Sequence, residues 1–512
     1  MRAALRSPEN RLSHRTRLMS LLWVLVLALT IFDLNPACAS TAMQQYDQTN
    51  KAIVERGKQA LVTCNGLFVS NRTLEQVYEQ ELKVDGIPLV PKSLVDVDAK
   101  LRAVAVGIAE NDPVPTMRAA HRKGLGCVVM APSQTFADID DLPELKMPPP
   151  AGDPKAIPWP MGDRVSSKPL PEYVDARALE DAVDFAFDRT AHGSPYHMTV
   201  SLLVVYKGDI LFEKYAPGFD ASTRTRTWSV AKSIANTLIG IAVDQGKLHL
   251  DEPLPVEWAP HGGESTAEND PRRKITLRNV LHMSSGLYPV DNERCNAVGS
   301  CLSYFAGANS VEGAVNRGLV REPGVHWDYE NYDTILGIAA LRSTLKSQKE
   351  YLEHPRRTLF DRLGMHNTTP GVDRFGNYVM SSQVYTTARD LARLGLLYLN
   401  NGVWNGERIL SESWVEFVRT AAPSTRDSGR EYGGQWWLPH DEQTDVPQDA
   451  YEMAGHRGQY VIVVPSHDLV IVRRGLDWET DDGYFRSWGL VNKVIEAFPE
   501  RPWGEKLVPE DL

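Results

Sequence analysis

The chain lacks the features that would place it in several large classes. Its apolar run near the start, Leu18 to Phe32, has 15 residues, short of the roughly 20 that a spanning helix needs. It has no basic excess: 55 Lys and Arg stand against 66 Asp and Glu, a net charge of −11, which argues against a nucleic-acid partner because phosphates are neutralised by clustered cations. There is no C-x-x-C pair, no H-E-x-x-H helix, no Walker loop and no G-x-S-x-G elbow, so neither a metal nor another cofactor is expected. The segment Gly240 to Lys247 misses the phosphate-loop spacing by one residue and continues an apolar helix. What is present is ordinary: 42% apolar and 24% charged residues over 512 positions, enough for more than one folded unit and incompatible with disorder or collagen.

The first segment reads as an export signal. Arg2, Arg6, Arg11, Arg15 and Arg17 precede the 15-residue apolar run, Asp33 stops it, and Ala37-Cys38-Ala39 supplies small residues for cleavage. Residues 1–39 are therefore expected to be a signal peptide, the mature protein to be periplasmic or secreted, and no membrane span to remain after cleavage. Removing Cys38 leaves Cys64, Cys127, Cys295 and Cys301. An oxidising compartment then allows two disulfides, and the closeness of Cys295 to Cys301 favours pairing 295 with 301 and 64 with 127.

Residues 40–145 form an accessory region of unknown role, with helical stretches at Ala52 to Leu61 and Thr73 to Leu82, one strand at Gly126 to Met130 and no catalytic motif. Residues 146–165 are so rich in proline that they read as a stiff linker or a segment wrapped over the surface. From 166 to 512 the pattern is a helix (Leu179 to Phe187), a hairpin (Val200 to Tyr206, Ile210 to Tyr215), a mainly helical insert over about 219–430, and strands at Gly433 to Leu438, Tyr451 to Ala454, Gln459 to Val464 and Leu469 to Arg473. A last helix covers Trp488 to Ala497. That order implies an α/β (α+β) fold: an antiparallel sheet flanked by terminal helices, with a helical subdomain beside it.

The chemistry gathers around Trp228-Ser229-Val230-Ala231-Lys232, ahead of the apolar helix Ile234 to Val243. One helical turn puts the Lys232 amine on the face of the Ser229 hydroxyl, where it can take the hydroxyl's proton, and the helix N-terminus favours the negative charge that develops. The tetrapeptide alone is weak, because an N-cap serine beside a solvated lysine gives the same pattern. Ser343 to Lys346 repeats it at a helix's end, where the dipole opposes an alkoxide, and is read as surface. Two further segments add weight. Tyr329-Glu330-Asn331 opens a second apolar helix, and a buried tyrosine near a lysine could titrate low enough to act as a base. Glu330 between them reads as a solvated charge. Gly455-His456-Arg457-Gly458-Gln459 leads into a strand whose edge a substrate backbone could approach.

With these motifs in order, residues 170–495 resemble the penicillin-recognising serine hydrolases: class C β-lactamases, D-Ala-D-Ala carboxypeptidases, family VIII esterases and, most of all, 6-aminohexanoate-dimer hydrolases. The segments Ile275 to Leu287, Tyr385 to Gly395 and Gly402 to Leu410 share in the likeness. The resemblance implies a β-lactamase/transpeptidase-like fold with Ser229 as acylated nucleophile, Lys232 as its base or proton relay, and Tyr329 as the partner base that protonates the leaving group. Asn331 would hydrogen-bond the substrate or Lys232. The N–H groups of Ser229 and Gln459 would form the oxyanion hole, with His456 and Gly458 on the third wall. The family's K-T-G is His456-Arg457-Gly458 here and S-D-N is missing, which turns the expectation away from β-lactams toward a small linear amide, ester or peptide, unless Arg457 turns inward to supply charge. Trp228, Trp327, Trp436 and Trp437 could line an acyl pocket, with core packing as the default. The alternatives are cell-wall peptide trimming or β-lactam hydrolysis, and an inactive penicillin-binding fold used for sensing. The sequence leaves the oligomeric state open.

Overall fold

The computed structural model describes residues 36–83, 88–107, 112–150, 152–166, 169–189, 196–260, 269–291, 295–426, 428, 431–440, 445–478 and 485–499. The arginine-rich start and the apolar run Leu18 to Phe32 lie outside them, and Ala37-Cys38-Ala39 falls at the start of helix α1 (Pro36–Phe68). Among the described residues no helix is long and apolar enough to cross a membrane.

The accessory region is a four-stranded antiparallel sheet, β1 (Val95–Asp98), β2 (Ala103–Val106), β3 (Met117–Arg122) and β4 (Gly126–Val129), paired in chain order, with α1 against it. Only β4 was legible beforehand. β2 is only four residues of alternating Ala and Val, and β3, Met-Arg-Ala-Ala-His-Arg, has no β-branched residue to mark it as a strand. The Cys64–Cys127 disulfide ties α1 to β4, and Cys295–Cys301 closes a short loop, the pairing anticipated from spacing.

Helix α2 (Ala176–Phe187) starts the second half, capped by the Asp175 carboxylate, which accepts from the Arg177 and Ala178 N–H groups. The hairpin β5 (Thr199–Tyr206) and β6 (Asp209–Tyr215) follows, then the buried helices α3 (Val230–Asp244), α4 (Asn331–Ser343) and α5 (Ala388–Leu399). Strands β7 (Tyr451–Gly455), β8 (Gln459–Val464) and β9 (Leu469–Gly475) complete a five-stranded antiparallel sheet in the order β7-β8-β9-β5-β6, and α6 (Ser487–Ile495) packs beside α2. Alternation by two explains the layers. Leu202, Val204, Ile462 and Ile471 join the core under α2 and α6, whereas Leu203, Val205, Val461 and Val472 join the core under α3 and α5. Both faces are covered, so β5 and β9 carry continuous apolar stretches, Leu202 to Tyr206 and Leu469 to Val472.

One expectation changes, and one of the two readings of the proline-rich segment is the one its contacts describe. Gly433 to Leu438 is not a strand: only isolated bridges form, Tyr432 with Trp437 and Trp437 with Glu452. Gln435 there takes a left-handed backbone, φ +62°, which breaks the extension. The proline-rich segment is a strap held on the surface. Buried Arg393 donates to the Pro160 carbonyl at 2.6 Å and to the Asp163 carboxylate at 2.8 Å, and the Trp159 indole donates to the Gly208 carbonyl at 2.7 Å. One apolar cluster accordingly runs from Leu61 and Cys127 through Ile234 to Val472.

Candidate active site

Three elements meet at one end of the sheet: the N-terminus of α3, the N-terminus of α4 and the inner end of edge strand β7. Ser229 is the N-cap of α3, yet its hydroxyl makes no capping bond. The preceding residue, Trp228, takes a left-handed conformation, φ +49°, a local strain that such sites carry when the surroundings over-determine it. Here they do. The Trp228 ring is stacked 3.6 Å from the Arg226 guanidinium and meets the His456 ring edge-on at 4.8 Å.

Lys232 lies one turn into α3 and is 1% exposed. Its Nζ is 3.0 Å from Ser229 Oγ, 2.6 Å from Asn331 Oδ1 and 2.9 Å from the Ser381 carbonyl oxygen. Burial pushes this amine down to about 7, against an opposing pull from Asp291 and Glu330. The solvated-lysine alternative therefore fails. The contacts also assign the amine's valences. Two of its three partners are carbonyl oxygens, which only accept, so a neutral amine spends both N–H groups on them. Its lone pair is left for the one partner able to donate, the Ser229 hydroxyl.

Tyr329 is half-buried beside them, its hydroxyl hydrogen-bonded with Ser229 and its ring 4.8 Å from Lys232 Nζ. Burial pushes its phenol upward, so the low-titrating tyrosine anticipated from the sequence is not what the fold builds. Glu330 is not a solvated charge either. It is 2% exposed and accepts the Val290 and Asp291 N–H groups at 3.1 and 3.2 Å. Burial and the nearby Asp291 raise it to about 9 against the pull of Arg317. For Arg457 the inward alternative is not the one realised. It turns away from the site to cap the Asp477 carbonyl and the Gln80 and Glu81 carbonyls of the accessory region.

On the third wall, Gly455 makes the close approach. A Cβ there would sit 3.1 Å from the Ser229 nitrogen and inside the Thr227 carbonyl oxygen. Gln459 lies across the ladder from Gly455, its side chain donating to the Arg457 and Gly475 carbonyls. Gly458, φ +76°, turns the hairpin against Asp477. Of the tryptophans, Trp436 is core, packed on Tyr398 and Tyr451, whereas Trp327 and Trp437 form a half-buried aromatic wall with Tyr432 around Tyr329. Ser343 and Lys346 lie at the exposed end of α4, as read from the sequence.

Sequence reasoning missed Asp291, Ser300 and Arg474. Arg474 is 1% exposed on β9, and burial pushes it down to about 9. It donates to Gln459 Oε1 at 2.7 Å, to the Thr386 and Thr225 carbonyls at 2.9 Å and to the Arg226 carbonyl at 3.1 Å, pinning the two residues that lead into Trp228 and Ser229. Arg474→Met fills the volume but leaves four buried acceptors without their donor. It is expected to cost about 3 kcal/mol or more in denaturant unfolding, and an unchanged midpoint would show that the acceptors find other donors.

Sheet, helical subdomain and the serine–lysine pair together define a serine hydrolase built on the β-lactamase architecture. Residues 188–473, more than half of the chain, match the Beta-lactamase family, and the protein belongs to it. A 6-aminohexanoate-dimer hydrolase of Paenarthrobacter ureafaciens is 25% identical over 319 residues, 58% of this chain and 77% of that one. Among solved structures, a Bacteroides dorei DSM 17855 protein described as a candidate β-lactamase shares 20% identity at a TM-score of 0.50, covering 63% of this chain and 99% of that one. A family VIII carboxylesterase shares 14% identity at a TM-score of 0.48, covering 65% and 99%. The family match begins at residue 188, so the accessory sheet and the strap lie before it.

Proposed function

We propose that the protein is an exported hydrolase that cleaves a linear amide or ester through an acyl-serine intermediate. The observation that carries this reading is the lone pair of a buried, near-neutral Lys232 aimed at Ser229 Oγ at 3.0 Å. In the first half-reaction Ser229 Oγ bonds to the substrate carbonyl carbon while its proton passes to Lys232 Nζ. The oxyanion is met by the Ser229 N–H at the start of α3 and by a backbone N–H of the adjoining β7–β8 wall, where Gly455 approaches the Ser229 nitrogen and Gln459 pairs across from it. Tyr329, held protonated by burial, gives its proton to the departing amine or alkoxide and is recharged from Lys232. Water then attacks the acyl carbon by the same route in reverse.

The aromatic wall of Trp327, Tyr432 and Trp437 suits an extended apolar acyl chain. With Arg457 spent on carbonyls, the K-T-G position offers no inward cation for a β-lactam carboxylate. The relative from Paenarthrobacter ureafaciens, named for an aminohexanoate dimer, points to the same class. Two disulfides suit an oxidising compartment and support export.

The test is the intact mass of the protein after brief exposure to a fluorophosphonate, p-nitrophenyl butyrate, a penicillin and an aminohexanoate oligomer, with Ser229→Ala alongside. Adducts confined to the protein with Ser229 establish acyl transfer, and the donor that turns over fixes the class. Silence from folded protein overturns the reading in favour of a binding role. A pH profile follows from Lys232. Only the neutral amine accepts a proton, so kcat/KM should rise with pH through about 7 and then level off. A profile flat from about pH 5 to about pH 9 removes Lys232 as the base.

A further inference from the structure

Lys232 does not hold its own position. Asn331 Oδ1 accepts from it, and the Asn331 amide is oriented in turn by a loop that belongs to neither catalytic helix. Asn331 Nδ2 donates to Ser300 Oγ at 3.0 Å, and the Asn331 backbone N–H donates to Asp291 Oδ2 at 2.7 Å. The other Asp291 oxygen accepts the Ser300 N–H at 2.8 Å. Ser300 is fully buried and adjoins Cys301, whose disulfide to Cys295 closes a loop with a sequence separation of 6. Gly299 fits this closure because a Cβ would meet the Val290 carbonyl oxygen at 2.5 Å and the Cys295 α-carbon at 2.7 Å.

We propose that Asp291, Ser300 and the Cys295–Cys301 disulfide are a positioning clamp for the general base, fixing the Asn331 amide so that its oxygen, not its nitrogen, faces Lys232. The inference rests on the reading of Lys232 as base. An asparagine amide is nearly symmetric in shape, and the two contacts fix its orientation together: its oxygen accepts from the Lys232 amine while its nitrogen donates to Ser300, which also holds the side chain in place. Reversed, the amide would set N–H against N–H and push Nζ off Ser229.

Asp291 has a second effect. The charged and titratable groups around Lys232 are Asp291, Glu330 and Tyr329. Of the two carboxylates that favour the ammonium form, Asp291 acts more strongly than Glu330, and Tyr329, raised by burial, adds no charge near neutrality. Every part of the clamp favours the protonated amine: the Asp291 charge directly, Ser300 and the disulfide by holding an acceptor in place.

The experiment is the pH dependence of Ser229 phosphonylation by a fluorophosphonate, in which Oγ displaces fluoride from phosphorus, followed by intact mass, in wild type, Asp291→Asn, Ser300→Ala and the double variant Cys295→Ser/Cys301→Ser. The expected result is a midpoint lowered by about one pH unit in Asp291→Asn. A smaller shift in the same direction is expected in the other two, with phosphonylation at the alkaline plateau slowed about tenfold by the poorer alignment. A merely structural role would lower the folded fraction and leave the midpoint in place. Variants that lose rate with an unchanged midpoint overturn the proposal, as does a disulfide-free variant with wild-type rate and midpoint. Should that variant fail to fold, Asp291→Asn and Ser300→Ala still decide. If wild-type Ser229 is phosphonylated with no titration near neutrality, it is the reading of Lys232 that falls, a different result from a titration the variants leave unmoved.

Discussion

Ser229→Ala lowers kcat by about four to six orders of magnitude on whichever amide or ester proves to be turned over, and Lys232→Met lowers it by nearly as much. The two act as one unit. Without Oγ there is nothing to acylate. Without Nζ the hydroxyl keeps its proton, because the other group that touches it, the Tyr329 phenol, is pushed upward by burial and is itself a donor. The effects are therefore not additive: the double variant should be no slower than the worse single one. Methionine suits the test because Lys232 lies among the apolar residues of α3, and a methionine keeps the volume while leaving the Asn331 and Ser381 oxygens without their donor. Unchanged far-ultraviolet dichroism and a modest loss of stability would mark the kinetic loss as chemical. A Lys232→Met enzyme within tenfold of wild type would show that the Ser229 proton leaves by another route.

The elements legible in the sequence were those whose pattern comes from a single local cause. β5, β8 and β9 are dense in Val, Ile and Leu because both faces of the sheet are covered, and α3 starts where an apolar run follows a serine. Ser229 and Lys232 are coupled by one turn of helix, so their proximity follows from spacing alone. Asn331 reaches Lys232 across 99 positions of chain, and no local pattern carries that contact. Resemblance to a family supplied it. What neither spacing nor resemblance supplied was the environment. Arg457 sits in the turn between β7 and β8 and Arg474 near the end of β9, on the same wall, and in sequence either was free to face the cleft. Burial without a carboxylate partner turns each toward backbone carbonyls, a choice made by the packing of the accessory region and of the segment before Trp228. Asp291 and Ser300 carried no signal at all, because their role depends on a loop closure that brings two N–H groups to one carboxylate.

Tyr329→Phe separates the acid from the base. The phenol is raised by burial and keeps its proton across neutral and mildly alkaline pH, so its contribution is to donate, and the size of the loss depends on what is leaving. An amide nitrogen departs only as it is protonated, and the phenylalanine variant should lose about 10²- to 10⁴-fold in kcat on an amide. A p-nitrophenolate leaves unaided, so with p-nitrophenyl butyrate the same variant should lose far less in acylation. The rise of kcat/KM through about pH 7 should survive the substitution, since it belongs to Lys232. Equal losses on both substrates would mean that the Tyr329 hydroxyl, through its hydrogen bond to Ser229, orients the nucleophile instead of protonating the leaving group. Loss of the neutral-pH rise in Tyr329→Phe would show that lysine and tyrosine share one proton and titrate as a pair. The leaving-group contrast matters because the raised phenol and the lowered amine have one cause, the same dry pocket, acting with opposite sign on an acid that is neutral when protonated and a base that is neutral when not.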